Sequence, residues 1–269
     1  NAAVAAESKV GLNLLSNSKS YDWKSTADGA YNWKTDKFVV FDGSTWVTAS
    51  VKAVRYYMDP RNFLDERGIF QFESLKYRSD VQTQTGVENV LRNTPMYNTN
   101  FTYTNNAGKN VSIKYSKAFM EAAAASKVSP YHLASRVKQE VVISSTMMSS
   151  SVSGNVAGYK GIYNFYNIGA NSGANAVKNG LKWASTGTDY SRPWNNRYRS
   201  IYGGACYIGK QYINVGQNTL YLQKFNVTAT KRYDHQYMAN IEAPNNEATK
   251  TANAYGSDKD NTPIVFSIP

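Results

Sequence analysis

Glu140 is the residue whose setting most suggests acid chemistry. It closes the segment SPYHLASRVKQE, in which Leu133, Val137, Glu140 and Val141 fall at i, i+4, i+7 and i+8, one face of a 3.6-residue helix. A carboxyl group drawn into apolar surroundings favours its protonated form, the form a general acid needs. Glycoside hydrolysis commonly pairs such an acid with a second carboxylate, near for retention of configuration and farther for inversion. Downstream of Glu140 the first carboxylate is Asp189, in WASTGTDYSRPW. A turn or cap role is the competing reading for Asp189, and a solvated or salt-bridged surface residue is the competing reading for Glu140.

A second cluster follows in YNFYNIGA, where Tyr163, Phe165 and Tyr166 interleave with Asn164 and Asn167. Rings on one side and amides on the other suit a sugar, whose apolar face stacks while its hydroxyl and N-acetyl groups take hydrogen bonds. The alternative is the core of a hairpin. His132 and His235 read as structural, because no G-x-S-x-G and no Cys–His pairing accompanies them. The single cysteine, Cys206, excludes an internal disulfide, and two histidines and one cysteine leave no zinc-ligand pattern. No metal and no cofactor is expected.

These residues need helices and irregular segments to position them. Ser129-Pro130 is a cap followed by proline at the first helical position, opening a helix from Pro130 to about Val142. Helices are also expected over Ala49–Met58, from Pro60 behind an Asp59 cap, and over Val87–Arg92, Ser116–Lys127, Ala174–Ala184 and Asn195–Val215. TLYLQKFNV reads as strand-like. Between Val141 and Val177 the only charge is Lys160, amid Ser, Gly, Asn and Tyr, which predicts irregular or hairpin structure fit for the wall of a polar cleft. Residues 1–50 read as short strands and turns carrying Trp23, Tyr31, Trp33 and Trp46. Aromatics at strand spacing usually form core, with sugar stacking as the other use. The expected division is an N-terminal region, 1–50, packed on one compact unit, 51–269.

With 269 residues, 42% hydrophobic and 18% charged, the chain can bury a sizeable core, which excludes long disorder. The longest strongly apolar run, Phe38 to Phe41, is far too short to span a bilayer. The start at Asn1, with no basic and apolar leader, suggests a mature or excised fragment. Net charge is +11, and residues 141–233 hold ten basic side chains against one acid, Asp189. A polyanionic partner is therefore expected. A nucleic-acid binder is the reading such charge first invites, yet no basic helix or RNP-like motif supports it.

Several segments are more specific than any short pattern: YYMDPRNFLDERGIFQFESLKY (56–77), SPYHLASRVKQE (129–140), SSSVSGNVAGYKGIYNFYNIGA (149–170), YRSIYGGACYIGKQYINVGQNTLYLQKFNV (198–227) and HQYMANIEAP (235–244). Together, in order, they resemble the glucosaminidase family of bacterial autolysins, glycoside hydrolase family 73, in its clostridial and bacillar wording. The resemblance implies a mainly helical, lysozyme-like α+β fold with a small β-hairpin lobe. It also implies an endo-β-N-acetylglucosaminidase that cuts the β-1,4 bond after N-acetylglucosamine in peptidoglycan, secreted to the Gram-positive wall. Glu140 would be the general acid. Tyr163, Tyr166 and Asn167 would line the cleft, with Gln236 and Tyr237 added from the HQYM motif. Asp189 as base competes with attack by the substrate's own acetamido oxygen, and the latter is favoured because it needs only one protein acid.

The expected partners are peptidoglycan strands and anionic wall polymers, with no nucleic acid and no membrane insertion, and a monomer is expected. The alternatives are an N-acetylmuramidase or lytic transglycosylase on a related fold, and a wall-binding module without catalysis.

Overall fold

The computed structural model describes residues 1–170, 175–228, 232–236 and 238–269. The chain is mainly helical with small antiparallel sheets, the α+β class that the resemblance implies. Among the described residues no helix is long and apolar enough to cross a membrane.

Contacts divide the chain into two units, with bounds other than the expected break at residue 50. The first takes in residues 1–73, 216–250 and 266–269, and the second takes in 74–215 and 251–265. Sequence order hides this division, because each unit is assembled from segments far apart in the chain.

In the first unit α1 (Ala2–Glu7) precedes a three-stranded antiparallel sheet of β1 (Leu14–Ser16), β4 (Val40–Asp42) and β5 (Trp46–Thr48), in the order β1-β5-β4. Leu15 faces Val47 across β1 and β5. A two-stranded ribbon, β2 (Tyr31–Asn32) with β3 (Lys37–Phe38), lies between β1 and β4 in the sequence. Helix α2 (Val51–Met58) starts where Ser50 Oγ accepts the amide of Ala53 at 3.2 Å, a standard cap. Its Ala53, Val54 and Met58 join Leu15, Val47, Phe63, Phe72 and Phe225 in one core.

TLYLQKFNV contributes a helix, not the expected strand: α8 runs over Leu220–Phe225. Thr219 caps it by accepting the amide of Leu222 at 3.1 Å, and Tyr221 and Phe225, one turn apart, are both buried. The apparent alternation of apolar residues was compatible with both periods over so short a run.

The second unit holds α3 (Gln84–Leu91), a hairpin of β6 (Asn100–Thr104) and β7 (Asn110–Lys114), then α4 (Tyr115–Ser126), α5 (Pro130–Val141), α6 (Ala176–Ser185) and α7 (Arg197–Gln211). Ala174, at the expected start of α6, lies outside the described residues. The paired strands of the unit are at 100–114, whereas 142–170 is irregular apart from an isolated antiparallel bridge of Val142 with Met148 and a short 3-10 turn at Ser150–Val152. Helix α4 packs against α3, α5 and α7. Gly86 on α3 permits close approach of α5, since a Cβ there would lie 2.3 Å from Tyr131 Oη. That hydroxyl accepts the amide of Thr83, the α3 cap, at 2.9 Å. Helix α9 (Ala243–Tyr255) ends in the second unit.

Candidate active site

Helix α5 begins as its sequence predicts: Ser129 Oγ accepts the amide of His132 at 3.3 Å and Pro130 occupies the first turn. Leu133, Val137 and Val141 form the buried stripe. Glu140 shares their angular position but not their burial, its side chain being 29% exposed. The reason is its place in the last turn, where the core ends and the chain runs out through exposed Ile143 and Met147. The expected buried carboxylate is thus half-open to solvent.

Both oxygens of that carboxylate are engaged. Arg136, one turn back, brings Nη2 to 3.1 Å from Oε1. Asn167 approaches Oε2 with Nδ2 at 3.3 Å and donates from the same nitrogen to the Glu140 carbonyl at 2.8 Å. It thereby satisfies one of the carbonyls that a helix end leaves without an intrahelical donor. Asn167 does so from a left-handed backbone, φ 49°, a conformation that Asn tolerates better than most residues. The last turn is also fastened by Lys138, whose Nζ donates to the carbonyls of Val90, Arg92 and Ala254 at 2.9, 3.1 and 2.7 Å.

The aromatic run divides by role. Tyr163 is half-exposed, lies against Gly154, whose Cβ position would be 2.5 Å from its hydroxyl, and has the Arg197 guanidinium 5.1 Å from its ring centroid. Arg197 makes no ion pair among the described residues. Tyr166, expected to line a cleft, is instead buried against Gly204 of α7, and its hydroxyl donates to the Ile201 carbonyl at 3.3 Å. Burial pushes its phenol well above the ordinary value. Phe165 and Asn164 are buried too, with Asn164 Nδ2 donating to the carbonyls of Ile168 and Gly180. These interior groups hold the segment that presents Tyr163 and Asn167.

Asp189 stands 80% exposed in a short 3-10 turn after α6, its carboxylate 3.9 Å from Arg192 Nη2. None of its described contacts reaches Glu140, Asn167 or Tyr163. Two further carboxylates of this unit are occupied, Glu88 by Ser116 Oγ and the amide of Asn98, and Glu121 by the Tyr198 hydroxyl.

Gln236 belongs to the first unit and has both ends of its amide committed: Nε2 donates to Glu7 Oε1 at 2.6 Å, and Oε1 accepts from Lys224 Nζ at 2.8 Å. Glu7 and Lys224 are fully buried, so this amide serves an internal network. Tyr237 lies outside the described residues. His132 is buried, and burial, aided by Arg136, lowers its pKa to about 3, which keeps it neutral and structural. His235 meets Gln217 Oε1 through Nδ1 at 2.7 Å. Among the described residues no three or more His, Cys, Asp or Glu side chains gather as a metal site.

Two site residues escaped the reading of the sequence. Arg136 was legible as the i−4 neighbour of Glu140. Arg197 was not, because only the tertiary fold brings α7 over Tyr163.

No family model matches the chain. It is 28% identical over 83% of its length to a β-N-acetylglucosaminidase of Bacillus subtilis, and spans 23% of that protein. Among solved structures, S. aureus glucosaminidase B matches 95% of this chain and 83% of its own with a TM-score of 0.60 at 23% identity. A catalytic mutant of S. aureus autolysin E in complex with the disaccharide NAG-NAM matches 99% of this chain and 93% of its own, with a TM-score of 0.52 at 16% identity. By sequence the chain is similar to a β-N-acetylglucosaminidase, and its fold is that of the solved glucosaminidase and autolysin structures.

Proposed function

We propose that the chain is a peptidoglycan hydrolase that cuts the β-1,4 bond between N-acetylglucosamine and N-acetylmuramic acid, with Glu140 as general acid. The observation that carries this reading is the half-open Glu140 carboxylate at the end of α5, oriented through both oxygens by Arg136 and Asn167. The Glu140 carboxyl gives its proton to the glycosidic oxygen as the bond from C1 to that oxygen breaks. The acetamido carbonyl oxygen of the same N-acetylglucosamine bonds to C1 and closes an oxazolinium ring. Water then adds at C1, the bond to the acetamido oxygen breaks, and a proton of the water returns to Glu140. Substrate assistance is preferred because it needs only one protein acid. Asp189 as base is the runner-up.

The wall is the place of action in this reading, and glycan strands and anionic wall polymers are the partners of a secreted monomer. The net charge of +11 raises its local concentration there. Mass spectrometry of borohydride-reduced fragments from purified peptidoglycan tests the reaction. Ends in reduced N-acetylglucosamine, absent with Glu140→Gln, are expected. Ends in muramic or anhydro-muramic acid would assign a muramidase or a transglycosylase, and no product from the native protein would leave a binding module.

A further inference from the structure

The first unit contains a cavity of about 330 Å³ walled by Leu15, Trp23, Tyr56 and Tyr57, with Lys19 and Glu242 at its edge. That volume is at the low end of small-ligand sites, roughly 300 to 1,000 Å³. Trp23 and Tyr56 stand nearly perpendicular, 86° with centroids 5.2 Å apart. Tyr57 stacks on Phe63 of the core, and Lys52 lies 5.6 Å from the Trp23 ring centroid.

The polar edge is equally ordered. Glu242 Oε1 accepts from both Lys19 Nζ and the Tyr57 hydroxyl, each at 2.7 Å. Its side chain is 17% exposed, and Oε2 accepts from no described group. Burial and the bond to Glu242 push the Tyr57 phenol upward, so it remains a donor. Lys19 and Glu242 cancel in charge, which disfavours an anion or a cation as ligand. Perpendicular aromatic walls, one open carboxylate oxygen and one ammonium with spare donors match a neutral sugar, whose C–H face stacks and whose hydroxyls bridge acceptor and donor.

We infer that Trp23, Tyr56, Tyr57, Lys19 and Glu242 form a carbohydrate-binding site in the first unit, which takes a neutral N-acetylhexosamine unit of a glycan. The choice of that sugar rests on the proposed function, and the neutral pyranose rests on the cavity alone. None of these five residues has a part in the proposed cleavage, and the site serves retention on the glycan.

The test uses the whole chain as Glu140→Gln, so that ligand persists, titrated with the N-acetylglucosamine trimer of chitin. The readout is the Trp23 indole N–H resonance, assigned among the five tryptophans through Trp23→Phe. A saturable shift is expected, with affinity about tenfold weaker in Glu242→Gln and in Tyr56→Ala. Tyr56 is 40% exposed but edges Phe63 of the core with ring centroids 5.6 Å apart, so native-like circular dichroism and thermal unfolding of Tyr56→Ala accompany the titration, and Glu242→Gln decides the outcome if that variant unfolds. A Trp23 signal that stays still, or one that titrates with equal affinity in both variants, overturns the inference. Reducing ends released by the native protein report the proposed function separately: product without a Trp23 shift removes this site alone, and a Trp23 shift without product removes only the hydrolase reading.

Discussion

Asn167 Nδ2 reaches the backbone carbonyl and the carboxylate of Glu140 together, at 2.8 and 3.3 Å. One amide thus terminates the helix and orients its terminal acid. Asn167→Gly keeps the left-handed backbone without strain and deletes only the amide. We expect kcat to fall between about 10-fold and 100-fold with little change in KM, measured by release of reducing ends. A change confined to thermal stability would limit Asn167 to capping.

Glu140→Gln replaces the acid by a group of similar shape with no transferable proton. Hydrolysis should drop by roughly 10²-fold to 10⁴-fold or more, while far-UV circular dichroism and sedimentation with insoluble peptidoglycan stay as in the native protein. Substantial turnover by this variant would remove Glu140 from the role.

Asp189→Asn separates the two accounts of the second catalytic group. With acetamido participation, kcat/KM stays within about threefold of native, well under the loss typical of deleting a general base, and de-N-acetylated glycan is not cut. A loss as deep as that of Glu140→Gln would make Asp189 the base.

Lys224 gives a pH signature. Burial lowers its pKa from 10.5 to about 8, with Glu7 opposing the shift. Between those values the unfolded chain binds more protons than the folded one, so this group makes stability rise with pH across roughly pH 8 to 10.5. Below pH 8 the full cost is present, on the order of 3 kcal/mol. Urea unfolding at pH 7 and pH 10 should show the native protein gaining relative to Lys224→Met. Parallel changes in the two proteins would mean that Lys224 titrates normally.

Binding to wall preparations should weaken from 0.05 to 0.5 M salt, since the Debye length is only about 10 Å at 0.1 M. Sedimentation of Glu140→Gln with purified walls measures this without turnover. Salt-insensitive retention would assign affinity to glycan contacts instead of the basic segment.

What was legible in the sequence was local. Ser129-Pro130 announces α5 because a cap acts within one turn, and Glu140 follows from helical spacing. The depth of Glu140 was not legible, since periodicity gives direction around a helix but not where the core stops. The hairpin at 100–114 had its signal in FTYT and VSIK about Asn105 to Gly108, though only the turn-rich stretch after Val141 was read as irregular or hairpin structure. Gln236 seemed poised for substrate, yet its partners Glu7 and Lys224 are set by tertiary contacts as distant as 229 positions. Tyr166 went the same way: a ring beside Gly204 is a matter of helix packing, which no run of neighbours reveals.

The three carbonyls that hold Lys138 carry an implication for biosynthesis. Two of them, on Val90 and Arg92, precede α5 in the chain, but the third, on Ala254, follows Lys138 by 116 positions. During vectorial synthesis the turn bearing Glu140 therefore waits for a segment made more than a hundred residues later before its anchorage is complete. A nascent chain arrested short of Ala254 would carry every residue named in the cleavage reaction and still lack the tether that aligns them.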